Sequence, residues 1–146
     1  MEIARIAVEA RLPDGNVIRF RPFAGGDAEM VKDVYFHKHY HPLDLKAGDV
    51  VLDVGAHIGS FSIKASRLVG REELVVAVEP EIENYRMLAE NIRINGLGNV
   101  VPLLMALSDI PGQAKLYLAA GTVAHSLSFP KSSSLVAQAM KQASWR

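Results

Sequence analysis

Residues 50–59, Val-Val-Leu-Asp-Val-Gly-Ala-His-Ile-Gly, constrain the fold more than any other stretch of this chain. Val50 to Val54 is apolar except for Asp53, the pattern of a strand buried on both faces of a parallel sheet. Gly55 ends the run, and Ile58, Phe61, Ala65 and Leu68 then recur at helical spacing up to Gly70, a stop signal. The cycle repeats. Leu74 to Val78 reads as a second buried strand, and Pro80 suits a first helical turn. Tyr85, Leu88, Ala89 and Ile92 line one helical face up to Asn95-Gly96, and Val100 to Leu104 reads as a third strand. Strands joined by crossovers long enough to hold helices make a parallel sheet with right-handed connections. The fold class is therefore α/β, with a Rossmann-like parallel sheet.

Ahead of this core, Ile6, Val8 and Ala10 alternate before Pro13-Asp14-Gly15-Asn16, and Val17, Ile18 and Phe20 follow, which predicts a β-hairpin within residues 1–23. Residues 24–49 predict loop and short helix. Beyond Asp109, Lys115 to Leu118 alternates like a strand able to pair with Thr122 to Phe129. Ser132-Ser133-Ser134 stands where it would cap a last helix carrying Leu135, Val136, Ala139 and Met140. The 146 residues are about one domain's worth, with residues 48–110 as the βαβαβ core.

Lysine plus arginine equals aspartate plus glutamate, 16 of each, so no global positive field draws the chain to nucleic acid or to an anionic membrane, and neither partner is expected. Absence of cysteine excludes disulfides, thiolate metal sites and thiol nucleophiles, and fits a reducing compartment, with the cytoplasm as the default. The opening Met-Glu-Ile-Ala-Arg places charges where a signal peptide needs an apolar run, and no stretch approaches the ~20 apolar residues that span a bilayer.

In an open parallel sheet, ligands lie beyond the carboxyl ends of the strands, so the loop Asp53 to Gly59 sits where a nucleotide binds. Gly55 and Gly59 allow backbone angles and close approach that side chains block. Their spacing matches neither Gly-x-Gly-x-x-Gly nor the phosphate loop with its lysine. The loop opens instead on a carboxylate, which repels a diphosphate and attracts a ligand bearing a cationic amine and a sulfonium. Glu79, at the tip of the next strand, lies near the ~20-residue offset at which an acid accepts hydrogen bonds from ribose hydroxyls. The alternative is a plain βαβ turn, its glycines kept for packing and Glu79 merely solvated.

"VVLDVGAHIGSFSI" from Val50 to Ile63, with "VVAVEPEIENYRMLAENIRING" from Val75 to Gly96, resembles the FkbM family of S-adenosylmethionine-dependent methyltransferases. "VVPLLMALSD", followed by Gly112 and "KLYL", extends the likeness over Tyr35 to Phe129. The resemblance implies S-adenosylmethionine as cofactor. Asp53 and the backbone of Gly55, Ala56, His57, Ile58 and Gly59 would contact its methionyl part, and Glu79 would hold the ribose hydroxyls with Pro80 shaping the corner. Ala106 to Asp109 would border the adenine through Ser108 or Asp109. It further implies methyl transfer to a hydroxyl oxygen of a small molecule or glycan. Family members continue past an "HSL"-like stretch, here His125-Ser126-Leu127, into strands with no counterpart in this sequence. The fold is thus expected to be cut short, with an open sheet edge that the tail or N-terminal hairpin covers, or another copy of the chain, or that is left bare in a remnant of reduced stability, with an oligomer favoured.

Two other functions fit the same half-fold. One is a remnant that binds S-adenosylmethionine without catalysis. The other is a nicotinamide dinucleotide (NAD) oxidoreductase, disfavoured by the acidic loop opening and the glycine spacing. His37, His39 and His41 would share one face of a strand, but Pro42 breaks pairing and no carboxylate completes a ligand set, so no metal is expected. His125 and Asp109 are the local candidates for a general base, although displacement at a sulfonium can proceed by orientation and exclusion of water without one. Lys64, Arg67, Arg71, Arg86 and Arg93 are balanced by Glu72, Glu73, Glu83 and Glu90, which reads as a solvated surface.

Overall fold

The chain opens with two short strands in the computed structural model, which describes residues 6–37, 44–109, 112, 115–118 and 141–144. β1 (Val8–Arg11) and β2 (Val17–Phe20) pair antiparallel, with Val8 opposite Phe20 and Arg11 opposite Val17. Their connection turns at Gly15, whose φ of 86° is open to a residue without a Cβ. α1 (Asp27–Tyr35) follows.

The core is β3 (Val51–Val54), α2 (Ser60–Val69), β4 (Val75–Val78), α3 (Ile82–Ile94) and β5 (Val100–Leu103), with the three strands parallel in the order β3-β4-β5. Successive right-handed crossovers step across the sheet in one direction, so α2 and α3 share one face. Under them Val51, Val75, Ala77 and Val100 pack with Ala56, Ala65, Val69 and Leu88. A second cluster, Leu12, Ile18, Val31, Ile58 and Ile63, seats the hairpin and α1. Pro102, with no N–H to donate, falls on β5, an edge strand of this sheet among the described residues.

Asn91 and Asn95, one turn apart on α3, dock the hairpin. Asn95 Oδ1 accepts from the Val17 N–H at 2.8 Å and its Nδ2 donates to the Val17 carbonyl at 2.6 Å. Asn91 Oδ1 accepts from the Arg19 N–H at 2.7 Å and its Nδ2 donates to the Arg19 carbonyl at 2.9 Å. Four residues of helix rise about 6 Å and two of strand advance about 6.7 Å, so the two amides meet alternate strand residues in step.

Four local expectations need correction. β3 is covered on one face only among the described residues: Val51 is 7% exposed, but Leu52 is 59% and Val54 56% exposed. The apolar stripe of α2 ends on Val69, 1% exposed, rather than on Leu68, 44% exposed. The helix starts at Ser60, so Ile58 belongs to the preceding loop and a periodicity counted from it runs out of phase. Pro80 is not in the first turn of α3, because the N-cap is Glu81, whose carboxylate accepts from the N–H groups of Glu83 and Asn84. Finally, β6 (Lys115–Leu118) pairs antiparallel with β7 (Lys141–Ser144). Lys-Gln-Ala-Ser holds no β-branched or aromatic residue, so nothing local announces that strand. Thr122 to Phe129, Ser132 to Met140, His39, His41 and His125 lie outside the described residues. Among the described residues, no helix is long and apolar enough to cross a membrane.

Candidate functional site

The loop after β3 folds as a tight turn on the tip of β4. Gly55 and Ala56 both donate to the Val78 carbonyl, at 2.8 and 3.0 Å, and Gly59 donates to the Ala56 carbonyl at 2.8 Å. Three residues in the turn have left-handed backbone: Gly55 at φ 79°, His57 at 55° and Gly59 at 92°. The two glycines serve different ends. A Cβ on Gly59 would stand 2.7 Å from Leu88 Cδ1, so this glycine lets α3 approach the start of α2. A Cβ on Gly55 would meet nothing within 4 Å, so that side of the turn is open to a ligand.

Glu79 is at the end of β4, as expected, but the residue is 4% exposed and its carboxylate faces the backbone of the turn. Oε2 accepts from the His57 N–H at 2.8 Å and Oε1 from the Glu81 N–H at 2.9 Å. Burial pushes its pKa up, and the N–H groups of Glu81 and His57, then the His57 charge, partly oppose that. Asp53 is half-buried and accepts from the Ser62 hydroxyl on α2. Desolvation raises its pKa too, against the hydrogen bonds from Ser62. Both acids therefore spend oxygens on holding the loop.

Beyond the carboxyl ends of the strands lies a cavity of about 180 Å³, bounded by Val54, Gly55, Val78, Pro80, Met105, Ala106, Leu107 and Leu116. It is smaller than the ~300 Å³ of a full small-molecule site, and its apolar walls suit a flat base rather than a charged tail. Of the predicted residues, Gly55 and Pro80 line it, as do Ala106 and Leu107 of the stretch expected to border the adenine. Ala56, His57, Ile58 and Gly59 are buried beside it. Ser108 and Asp109 are exposed, their side chains 3.2 Å apart. His37 lies 2.7 Å from Asp33, and no group of three or more His, Asp or Glu among the described residues could hold a metal.

Sequence reasoning missed Arg21, Asp27 and Asn84. Arg21 grips Asp27 through Nε and Nη2, at 2.8 and 3.0 Å, and Nη2 also reaches Asn84 Oδ1 at 2.6 Å. Asp27 is fully buried, and His57 Nε2 lies 3.2 Å from its Oδ1, off the line of a hydrogen bond. No spacing rule links position 27 to position 57. The one local signal was an acid just after Gly25-Gly26, in a segment that read as loop and short helix.

A parallel sheet with a glycine turn and a buried acid at adjacent strand tips defines a Rossmann-like nucleotide-cofactor domain. The TRM5/TYW2 methyltransferase domain matches residues 38–126, more than half of the chain, and the chain belongs to that family. It is 39% identical over 62 residues to the tRNA(Phe) (4-demethylwyosine(37)-C(7)) aminocarboxypropyltransferase of Methanocaldococcus jannaschii, covering 42% of this chain and 24% of that protein. It is also 46% identical over 57 residues to the 23S rRNA (uracil(1939)-C(5))-methyltransferase RlmD of Psychrobacter arcticus, covering 39% and 11%. Among solved structures, Trm5b of Pyrococcus abyssi superposes with a TM-score of 0.54 at 24% identity, covering 72% of this chain and 29% of that one. The aligned segments thus span less than a quarter of the curated relatives' length.

These findings correct two expectations. The family is TRM5/TYW2 rather than FkbM. The strand, glycine turn and acidic tip that carried the resemblance are features common to nucleotide-cofactor domains, and so do not separate families that differ in acceptor. The small-molecule or glycan acceptor and the absence of a nucleic-acid partner are also overturned, because relatives with this core are named for tRNA and rRNA. A balanced net charge excludes a global field and says nothing about a local RNA-binding surface.

Proposed function

We propose that this chain is the cofactor-binding core of an S-adenosylmethionine-dependent transferase that modifies RNA. The observation that carries the reading is the open glycine turn at Gly55 with the buried Glu79 beside it at the strand tips, in a member of the TRM5/TYW2 methyltransferase domain family. When bound, S-adenosylmethionine supplies a sulfonium-activated carbon for transfer to a nucleophile. The chain's own residues hold and orient it. The backbone from Gly55 to Gly59 approaches the methionyl part, and Glu79 at the mouth of the turn marks the ribose. Pro80, Val54, Val78, Met105 and Leu107 enclose the base and keep water from it, with Ser108 and Asp109 at the rim. Asp53, bonded to Ser62, anchors the turn to α2.

Thermal and calorimetric titration test this reading. S-adenosylhomocysteine at 100 times its dissociation constant should stabilise the protein by about 2.7 kcal/mol, and NAD should not. Glu79→Ala should weaken binding by about 1.5–3 kcal/mol, because the carboxylate that holds the His57 and Glu81 N–H groups at the turn is lost. No response to S-adenosylhomocysteine, or a response to NAD alone, rejects the assignment.

A further inference from the structure

We propose that Arg21 and Asp27, which precede the stretch shared with the family, are positioning residues of the cofactor site. The inference rests on the cofactor reading of Glu79. Five residues lie in a ring, joined by side-chain hydrogen bonds, by the backbone N–H of His57 and, between His57 and Asp27, by an approach without a hydrogen bond. Arg21 Nη2 bridges Asp27 Oδ1 and Asn84 Oδ1. Asn84 hydrogen-bonds Glu79, Glu79 Oε2 accepts the His57 N–H at 2.8 Å, and His57 Nε2 returns to Asp27 Oδ1 at 3.2 Å. The members come from the end of the hairpin, α1, the glycine turn, the tip of β4 and α3, and all are sequestered. Asp27 is 0%, Asn84 1%, Glu79 4% and His57 6% exposed, and the Arg21 side chain is 12% exposed.

The ring explains a conformation that is otherwise costly. His57 has φ 55°, a region that residues with a Cβ populate sparsely and keep only where their surroundings over-determine it. Here the N–H is held by Glu79, and the buried imidazole lies against Asp27, with Nε2 3.2 Å from Oδ1, so its packing limits how the residue can turn. The carboxylate of Asp27 is itself fixed by the Arg21 fork, a planar pairing that dictates direction as well as distance. Removing Asp27's charge frees the imidazole and leaves Arg21 without its main counter-ion. The turn is then free to relax toward negative φ, carrying the Gly55 to Gly59 amides and the partner of Glu79 out of place. The N-terminal hairpin and α1 thereby set cofactor affinity from outside the ligand's reach.

The test is a double-mutant cycle on the whole chain, read by calorimetry with S-adenosylhomocysteine. Asparagine tolerates left-handed backbone, so His57→Asn removes the reach to Asp27 without straining the turn. His57→Asn and Asp27→Asn should each raise the dissociation constant about tenfold, and the double variant should add little to either. In the wild type, S-adenosylhomocysteine should slow hydrogen exchange in α1 and shift the Arg21 Nε–H resonance, and both responses should vanish in His57→Asn. These wild-type readouts decide the matter even if Asp27→Asn does not fold. Normal affinity in both single variants, or a silent α1 and Arg21 in a wild type that binds, overturns the positioning role alone. A wild type that does not bind S-adenosylhomocysteine removes the cofactor reading and the positioning role with it.

Discussion

Two neighbouring rungs of the parallel sheet have nearly the same composition and opposite surroundings. Val51, Val75 and Val100 stand in register across β3, β4 and β5 and are 7%, 0% and 5% exposed. One residue further along, Leu52, Val76 and Val101 are in register on the other face, where Leu52 is 59% and Val101 42% exposed. The difference comes from connectivity. Two right-handed crossovers in the same direction put both helices over the first rung and neither over the second. Apolarity on both faces is thus a property of the strand sequence, whereas burial is a property of what the topology brings to each face.

The largest effect that separates the faces should come from Leu88, which is fully buried over the first rung. Leu88→Ala should cost about 2–5 kcal/mol in urea unfolding, the transfer of the lost side chain plus the cavity left behind. A loss below about 1 kcal/mol would mean that the helix face is not packed as described.

A smaller, pH-dependent effect belongs to Asp53, the one acid within the strand and on the helix-covered side. Its pKa is raised above the ordinary 3.8, so folding favours its protonated form. That contribution is complete below pH 3.8 and is lost as pH climbs through the raised value. Asp53→Asn should therefore match the wild type in acid and exceed it in stability near neutrality. Urea midpoints taken across that range check this, and the comparison cancels Glu79, whose raised pKa acts in the same direction in both proteins. Parallel curves would rule out Asp53 as the source.

The smallest effect should fall on the second rung. Leu52→Ser should change stability by no more than about 0.5 kcal/mol. A loss of several times that would show that the exposed rung is covered in solution.

Much of the core was legible because its signals are local. The apolar runs, Gly55, Gly70 and the face of α3 marked strand, turn and helix within a residue or two. The place of Glu79 at a strand tip was legible because it directly follows the apolar run Leu74 to Val78. What could not be read depends on partners far apart in sequence. The direction of the Glu79 carboxylate depends on N–H groups that only the folded turn brings near, at His57 and Glu81. Arg21 and Asp27 reach the turn through α1, for which residues 24–49 offered only a loop and a short helix. β7 has no strand composition at all, and only its pairing with β6 defines it.

The two asparagine amides of α3 imitate a neighbouring strand. By occupying the outward N–H and C=O of Val17 and Arg19, they leave β2 no unpaired rim onto which a foreign peptide could zip. They also lock the hairpin's phase, since sliding by one residue would offer them the inward-facing Ile18 instead. A helix has here taken over a task that sheets usually assign to another strand.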